Sequence, residues 1–133
     1  MNIKNLYIAY TFEKYLYKWL NKKEMIYNDD FLDGFITIEF LNKSNEYYIE
    51  RRYWENRSIY SETLYKNRKR HGFRKIYYQD KILKSKVLYK NDEKNGIGRY
   101  YYNNGNLHVR ASYKNGERYG ITEWYNENGA RIH

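Results

Sequence analysis

Residues 96–116 read GIGRYYYNNGNLHVRASYKNG, and the architecture follows from that stretch. Two runs, Gly96 to Tyr102 and Asn106 to Tyr113, are divided by Asn103-Asn104-Gly105, and a second turn, Lys114-Asn115-Gly116, closes the unit. Asn and Gly tolerate the positive φ of tight hairpin turns, so Asn-Gly between such runs predicts two short antiparallel strands. The same unit recurs along the chain. Gly72, Gly96 and Gly120 stand 24 residues apart, and so do Tyr53, Tyr77, Tyr101 and Tyr125. The triplets Tyr65-Lys66-Asn67, Tyr89-Lys90-Asn91 and Tyr113-Lys114-Asn115 keep that step, as do Asn56-Arg57, Asp80-Lys81, Asn104-Gly105 and Asn128-Gly129. One step held in four registers marks a repeat protein, in which each hairpin buries its apolar positions against the next. Phe35 to Leu41, a turn at Asn42-Lys43-Ser44-Asn45, and Tyr47 to Trp54 read as the same hairpin without its glycines, a degenerate terminal unit. The glycine that opens each unit is expected where an aromatic ring crosses close to the backbone.

Composition bounds the rest. The 133 residues are one domain's worth of chain, and 25 Lys and Arg against 16 Asp and Glu give a net charge of +9. Nineteen residues are Tyr, so a core has to be built largely from amphipathic rings. The absence of Pro suits strands that donate backbone hydrogen bonds throughout. With no Cys there are no disulfides, thiolate metal sites or cysteine nucleophiles, and three scattered His argue against a histidine metal cage. No run approaches the roughly 20 apolar residues that span a bilayer, and the first ten residues lack the pattern of a secretory signal. The expectation is a basic, cytoplasmic single domain with no cofactor.

The first residues differ in pattern. After Thr11, a plausible N-cap, Phe12, Tyr15, Leu16, Trp19 and Leu20 fall at helical spacing, with Lys14, Lys18, Lys22 and Lys23 on the other face. Residues 12–24 are therefore expected to form an amphipathic helix, within a helical cap over 1–34 that precedes hairpin repeats over 35–133. Such a helix can lie on a membrane or cover the sheet, and the second is favoured because a bare sheet edge invites aggregation.

The quoted residues resemble MORN repeats. The likeness rests on His71-Gly72, Tyr77-Tyr78, Leu83 and Tyr89-Lys90-Asn91. It is echoed by Asn95-Gly96, Tyr101 to Gly105, Leu107 and Tyr113 to Gly116, and again by Tyr119-Gly120, Tyr125 and Asn128-Gly129. It is closer to the variant MORN repeats of bacterial antitoxin-like proteins and covers about residues 48–133. The resemblance implies a mainly β fold, a single elongated, curved, open antiparallel sheet of hairpin repeats. It also implies protein or lipid binding and supplies no catalytic residues. Asn56-Arg57 and Asp80-Lys81 depart from it by lacking the turn glycine, and Tyr48 stands where a repeat glycine belongs.

Side chains alternate across a strand, so one parity faces inward. In second strands the odd positions are apolar or small, as in Leu83, Ser85, Val87 and Tyr89. In first strands they include Phe73 and Tyr77, and Ile97 and Tyr101. A three-residue turn with Gly in the left-handed position places both odd sets on one face, whereas a two-residue turn mixes odd with even. The former is the expectation, with Tyr77, Tyr101 and Tyr125 buried. The even face then carries Trp54, Arg74, Tyr78, Lys86, Tyr100, Tyr102, Arg110 and Trp124 as candidate partner-binding residues, since rings and Arg dominate interface hot spots.

No carboxylate pair, phosphate loop, nucleophile elbow or paired His emerges, so catalysis is not expected. Charge spread over turns and strands suits solubility and steering better than a nucleic-acid stripe, and exposed apolar anchors for a membrane are few. The expected function is non-catalytic protein binding: a small bacterial or phage inhibitor of a toxin, nuclease or host-defence complex such as a CRISPR effector. Its partner would present an acidic or nucleic-acid-binding surface. The alternative is a basic repeat protein that binds nucleic acid or a membrane surface.

Overall fold

The computed structural model describes residues 24–29 and 34–133. Among them the chain forms one open antiparallel sheet and no helix. Its strands are β1 (Glu24–Asp29), β2 (Gly34–Phe40), β3 (Tyr47–Tyr53), β4 (Ile59–Lys66), β5 (Lys69–Tyr77), β6 (Leu83–Lys90), β7 (Glu93–Lys94), β8 (Gly96–Tyr101), β9 (Leu107–Lys114) and β10 (Glu117–Trp124). They lie side by side in chain order, with the two-residue β7 pairing β6 beside β8.

Two kinds of turn alternate. At one end of the sheet four three-residue turns are closed by the same bonds. Trp54, Tyr78, Tyr102 and Asn126 each donate their N–H to a carbonyl four residues on. The third turn residue is left-handed in all four: Arg57 (φ 69°), Lys81 (73°), Gly105 (90°) and Gly129 (89°). At the other end β4–β5, β6–β7 and β9–β10 are joined by two-residue turns whose central pairs, Asn67-Arg68, Asn91-Asp92 and Asn115-Gly116, all have positive φ.

The three-residue turn is the expected one, yet the faces come out differently. The first pairs inside each turn join odd with odd: Tyr53 with Ile59, Tyr77 with Leu83, Tyr101 with Leu107. One step further a bulge inserts an extra residue (Tyr60, Lys84 or His108), and the strand bodies then pair even with odd. Arg74 therefore lies opposite Val87, and Tyr100 opposite Val109. A one-residue shift moves a whole set of side chains to the other face.

The buried face consequently carries the even positions of first strands and the odd positions of second strands. Its densest part is Ile36, Ile38, Phe40 and Tyr48, with Tyr65 packed on it. Tyr48 stacks on Tyr65 with ring centroids 5.1 Å apart. The row continues through Val87, Tyr89, Val109, Ala111 and Tyr113, all buried. Tyr77, Tyr101 and Tyr125, expected inside, are only half-buried. Beside the aromatic cluster, Arg52 donates from Nε to Glu50 Oε1 at 3.1 Å, and both side chains are buried. Burial pushes the Glu50 carboxyl up, against the pull of Arg52.

Two further expectations change. What crosses the opening glycines is leucine: a Cβ on Gly72 would lie 2.6 Å from Leu64 Cδ2, and one on Gly96 3.2 Å from Leu88 Cδ2. Aromatic rings cross at Gly98 instead, where a Cβ would meet Tyr113 at 2.9 Å and Tyr100 at 3.3 Å. Residues 12–23 of the expected helix lie outside the described residues. Glu24–Asp29, assigned to the helical cap, is a strand, pairing Ile26 with Thr37 and Asp29 with Gly34. It takes up the backbone hydrogen bonds that β2 would otherwise leave open along its edge, and β-branched and aromatic residues such as Ile26 and Tyr27 favour that state.

Candidate functional site

The open face, opposite the buried one, is crossed by a single file of charged side chains, one from each of seven successive strands. Arg51 pairs with Glu62, Glu62 with Lys75, Lys75 with Lys86, Lys86 with Arg99, Arg99 with Arg110, and Arg110 with Glu123. Neighbours in this file sit one strand spacing apart, about 4.8 Å. The ends of the file satisfy themselves. Arg51 bridges Glu39 at 2.6 Å and Glu62 at 2.8 Å. Glu123 lies 3.4 Å from Arg110 and 3.8 Å from Arg131, and accepts a hydrogen bond from the Tyr125 hydroxyl at 2.9 Å. That hydroxyl, with the two arginines, holds the Glu123 carboxyl below its ordinary value.

The middle of the file is different. Lys75, Lys86 and Arg99 face one another, and among the described residues no carboxylate lies within 4.0 Å of any of them. Among the described residues only Lys86 of the three has a ring to rest on, its Nζ standing 4.3 Å from the centroid of Phe73. Like charges directly opposite each other on a sheet destabilise it, by roughly 0.2–1 kcal/mol per pair.

The cations of the buried face are treated otherwise. Arg70, Lys94 and Arg118 pair across the ladder with Tyr65, Tyr89 and Tyr113. Arg70 stands 4.4 Å over the Tyr89 ring and bonds the Asp92 carboxylate at 3.1 Å, and Lys94 stands 4.8 Å over the Tyr113 ring. The Tyr100 and Tyr113 hydroxyls lie 3.1 Å apart, with Arg118 Nε donating to Tyr113 at 3.4 Å. Burial pushes the Tyr113 phenol up, but hydrogen bonds from Tyr100 and Arg118 and the charge of Lys94 outweigh it and hold the phenol below its ordinary value. Burial and the bond to Tyr113 push Tyr100 up.

The family model described as the MORN repeat variant matches residues 70–91 and 94–115. Two of the hairpin units are MORN repeats. The MORN repeat is a non-enzymatic module associated with protein and membrane binding. No curated protein and no solved structure matches the chain. Among the described residues no helix is long and apolar enough to cross a membrane, and no cluster of His, Asp or Glu could hold a metal ion.

The sheet divides the eight residues singled out from the sequence between its two faces and its three-residue turns. Lys86 and Arg110 belong to the open-face file. Arg74 and Tyr100 lie on the buried face, opposite Val87 and Val109. Trp54, Tyr78, Tyr102 and Trp124 gather near the three-residue turns, where they mostly tie units together. Trp54 meets Tyr60 edge-on at 4.9 Å, and Tyr102 stacks on His108 at 4.2 Å with Trp124 against the same imidazole at 5.8 Å. The Tyr78 hydroxyl donates to the Tyr101 carbonyl, and the Tyr102 hydroxyl to the Tyr125 carbonyl, each at 2.8 Å.

Lys75 and Arg99 were missed because the odd positions of first strands were read as facing inward. A signal for them exists in the sequence. Arg51, Lys75, Arg99 and Glu123 keep a 24-residue step, and so do Glu62, Lys86 and Arg110.

Proposed function

We propose that this MORN-repeat protein is a non-catalytic binding module that neutralises a target protein by stoichiometric binding, as the likeness to antitoxin-like repeats suggests. The contact surface is the open-face file of Lys75, Lys86, Arg99 and Arg110. The observation that carries this reading is the run of opposed cations at the centre of the file, with no described carboxylate within 4.0 Å. In the free protein such a run is a cost. Carboxylates supplied by a partner convert it into attraction and steer the encounter. Bound nucleic acid would neutralise the same cations, but its affinity would fall log-linearly with salt on many sequences alike.

The test is affinity capture from the source cell with the wild-type chain and with the K75E/K86E/R99E variant, followed by inhibition assays on whatever only the wild type retains. Inhibition complete at one equivalent, and lost in the variant, supports the reading. Inactivation of a target by trace amounts of the protein would overturn its non-catalytic part, and capture of nucleic acid alone would overturn its protein-binding part.

A further inference from the structure

The open face has dimensions as well as charge. On β5 the residues Phe73, Lys75 and Tyr77 alternate onto this face, and on β8 Ile97, Arg99 and Tyr101 do the same. The cationic file thus runs between two rows of apolar and aromatic side chains. One row contains Phe73, Leu88 and Ile97, and the other Tyr77, Leu83 and Tyr101. Phe73 is 44% exposed, large for a ring on a sheet face. Two residues of strand on each side of the file separate the flanking rows by about 13 Å. That is close to the 10–12 Å width of an α-helix with its side chains.

The spacing along the file points the same way. The four cations span three strand intervals, about 14 Å. Acidic residues spaced along one face of an α-helix advance about 5.4 Å per turn, so four of them run out of step by only about 2 Å over that span. Long Lys and Arg side chains absorb such an offset. An extended acidic peptide places same-face residues about 6.7 Å apart and drifts by about 6 Å over the same span. The phosphates of one strand of duplex DNA advance about 3.4 Å each and fall short by about 4 Å.

We infer that the open face is a seat for an acidic amphipathic α-helix of the partner, lying across β5, β6, β8 and β9. A stripe of Glu or Asp one turn apart sits on Lys75, Lys86, Arg99 and Arg110. Apolar residues on both flanks of that stripe pack against Phe73, Leu88 and Ile97 on one side and Tyr77, Leu83 and Tyr101 on the other. This inference rests on the protein-binding reading and adds the shape and chemistry of what is bound.

The experiment uses the full chain and synthetic peptides of about 20 residues, long enough to hold a helix. The first carries four Glu at i, i+4, i+7 and i+11 with Leu on both flanks. The second is a permuted isomer of equal charge and composition that cannot form the stripe. A single-stranded oligonucleotide of matching charge is the third probe. Fluorescence anisotropy is expected to show the striped peptide binding at least about tenfold more tightly than its isomer. K75E/K86E/R99E is expected to lose the striped peptide and to bind its Lys-for-Glu counterpart instead, a charge swap that an unfolded variant could not produce. Equal affinity for both peptides would overturn the helical seat while leaving a protein partner in place. Tighter binding of the oligonucleotide, with a log-linear salt dependence, would overturn both.

Discussion

The two faces of one sheet carry their positive charge in opposite ways. On the buried face, Arg70 and Lys94 each rest on the tyrosine of a neighbouring strand, Tyr89 and Tyr113, and Arg70 also holds Asp92. On the open face, Lys75, Lys86 and Arg99 stand opposite one another with no described carboxylate within 4.0 Å. The same residue types therefore do different work. Cations over rings fix the packing of successive units, worth roughly 0.5–1 kcal/mol each at such half-exposed sites. Cations facing cations subtract a comparable amount and leave a positive field for a partner to neutralise.

The contrast can be broken at its tyrosines. Tyr113 is 5% exposed, so Tyr113→Ala should cost about 3–5 kcal/mol, as emptying a large aromatic site does. Tyr101→Ala, on the half-exposed open face, should cost only about 1–2 kcal/mol. Urea unfolding of both variants checks this, and equal losses would mean that the faces are packed alike. Gly98→Ala comes next. Its methyl would lie 2.9 Å from the Tyr113 ring, and overpacking of this kind costs about 1–3 kcal/mol.

A third substitution should move stability the other way. Arg99→Glu places a carboxylate between Lys86 and Arg110, so at low salt it should stabilise by about 0.5–1 kcal/mol, the gain shrinking as salt is added. Arg99 is the better choice than Lys86, whose replacement would also lose the contact with Phe73. Destabilisation in the melting curve at low salt would mean that the file is already neutralised. The smallest expected effect is spectroscopic. Tyr113 is held below its ordinary value, so a titration of tyrosinate absorbance should show one phenol ionising ahead of the rest, and Tyr113→Phe should remove that step. A phenol lowered on folding adds stability only above the unfolded tyrosine range, about pH 10, and loses it as pH falls through the folded value. Stability at neutral pH should therefore not change through this group.

Much of this fold was legible in the sequence. Asn103-Asn104-Gly105 and its counterparts marked the hairpin turns, and the third turn residue is left-handed in the structure, even where Arg57 and Lys81 replace glycine. The bulges at Tyr60, Lys84 and His108 were not legible. No turn residue announces them, and each reverses the parity of the strand beyond it. That single residue explains why, of the odd positions expected on one inward face, Tyr89 and Tyr113 are buried while Tyr77 and Tyr101 are not. It also explains why Lys75 and Arg99 join Lys86 and Arg110. The strand at Glu24–Asp29 was hidden for another reason: no Asn-Gly pair stands in the sequence between it and its partner β2.

The central claim is that the opposed cations of the open face bind the target. Titration calorimetry of the captured target against the wild-type chain and K75E/K86E/R99E tests it most directly. The account predicts one-to-one binding by the wild type and at least about a hundredfold weaker binding by the variant, which still unfolds cooperatively. Unchanged affinity in the folded variant would contradict it.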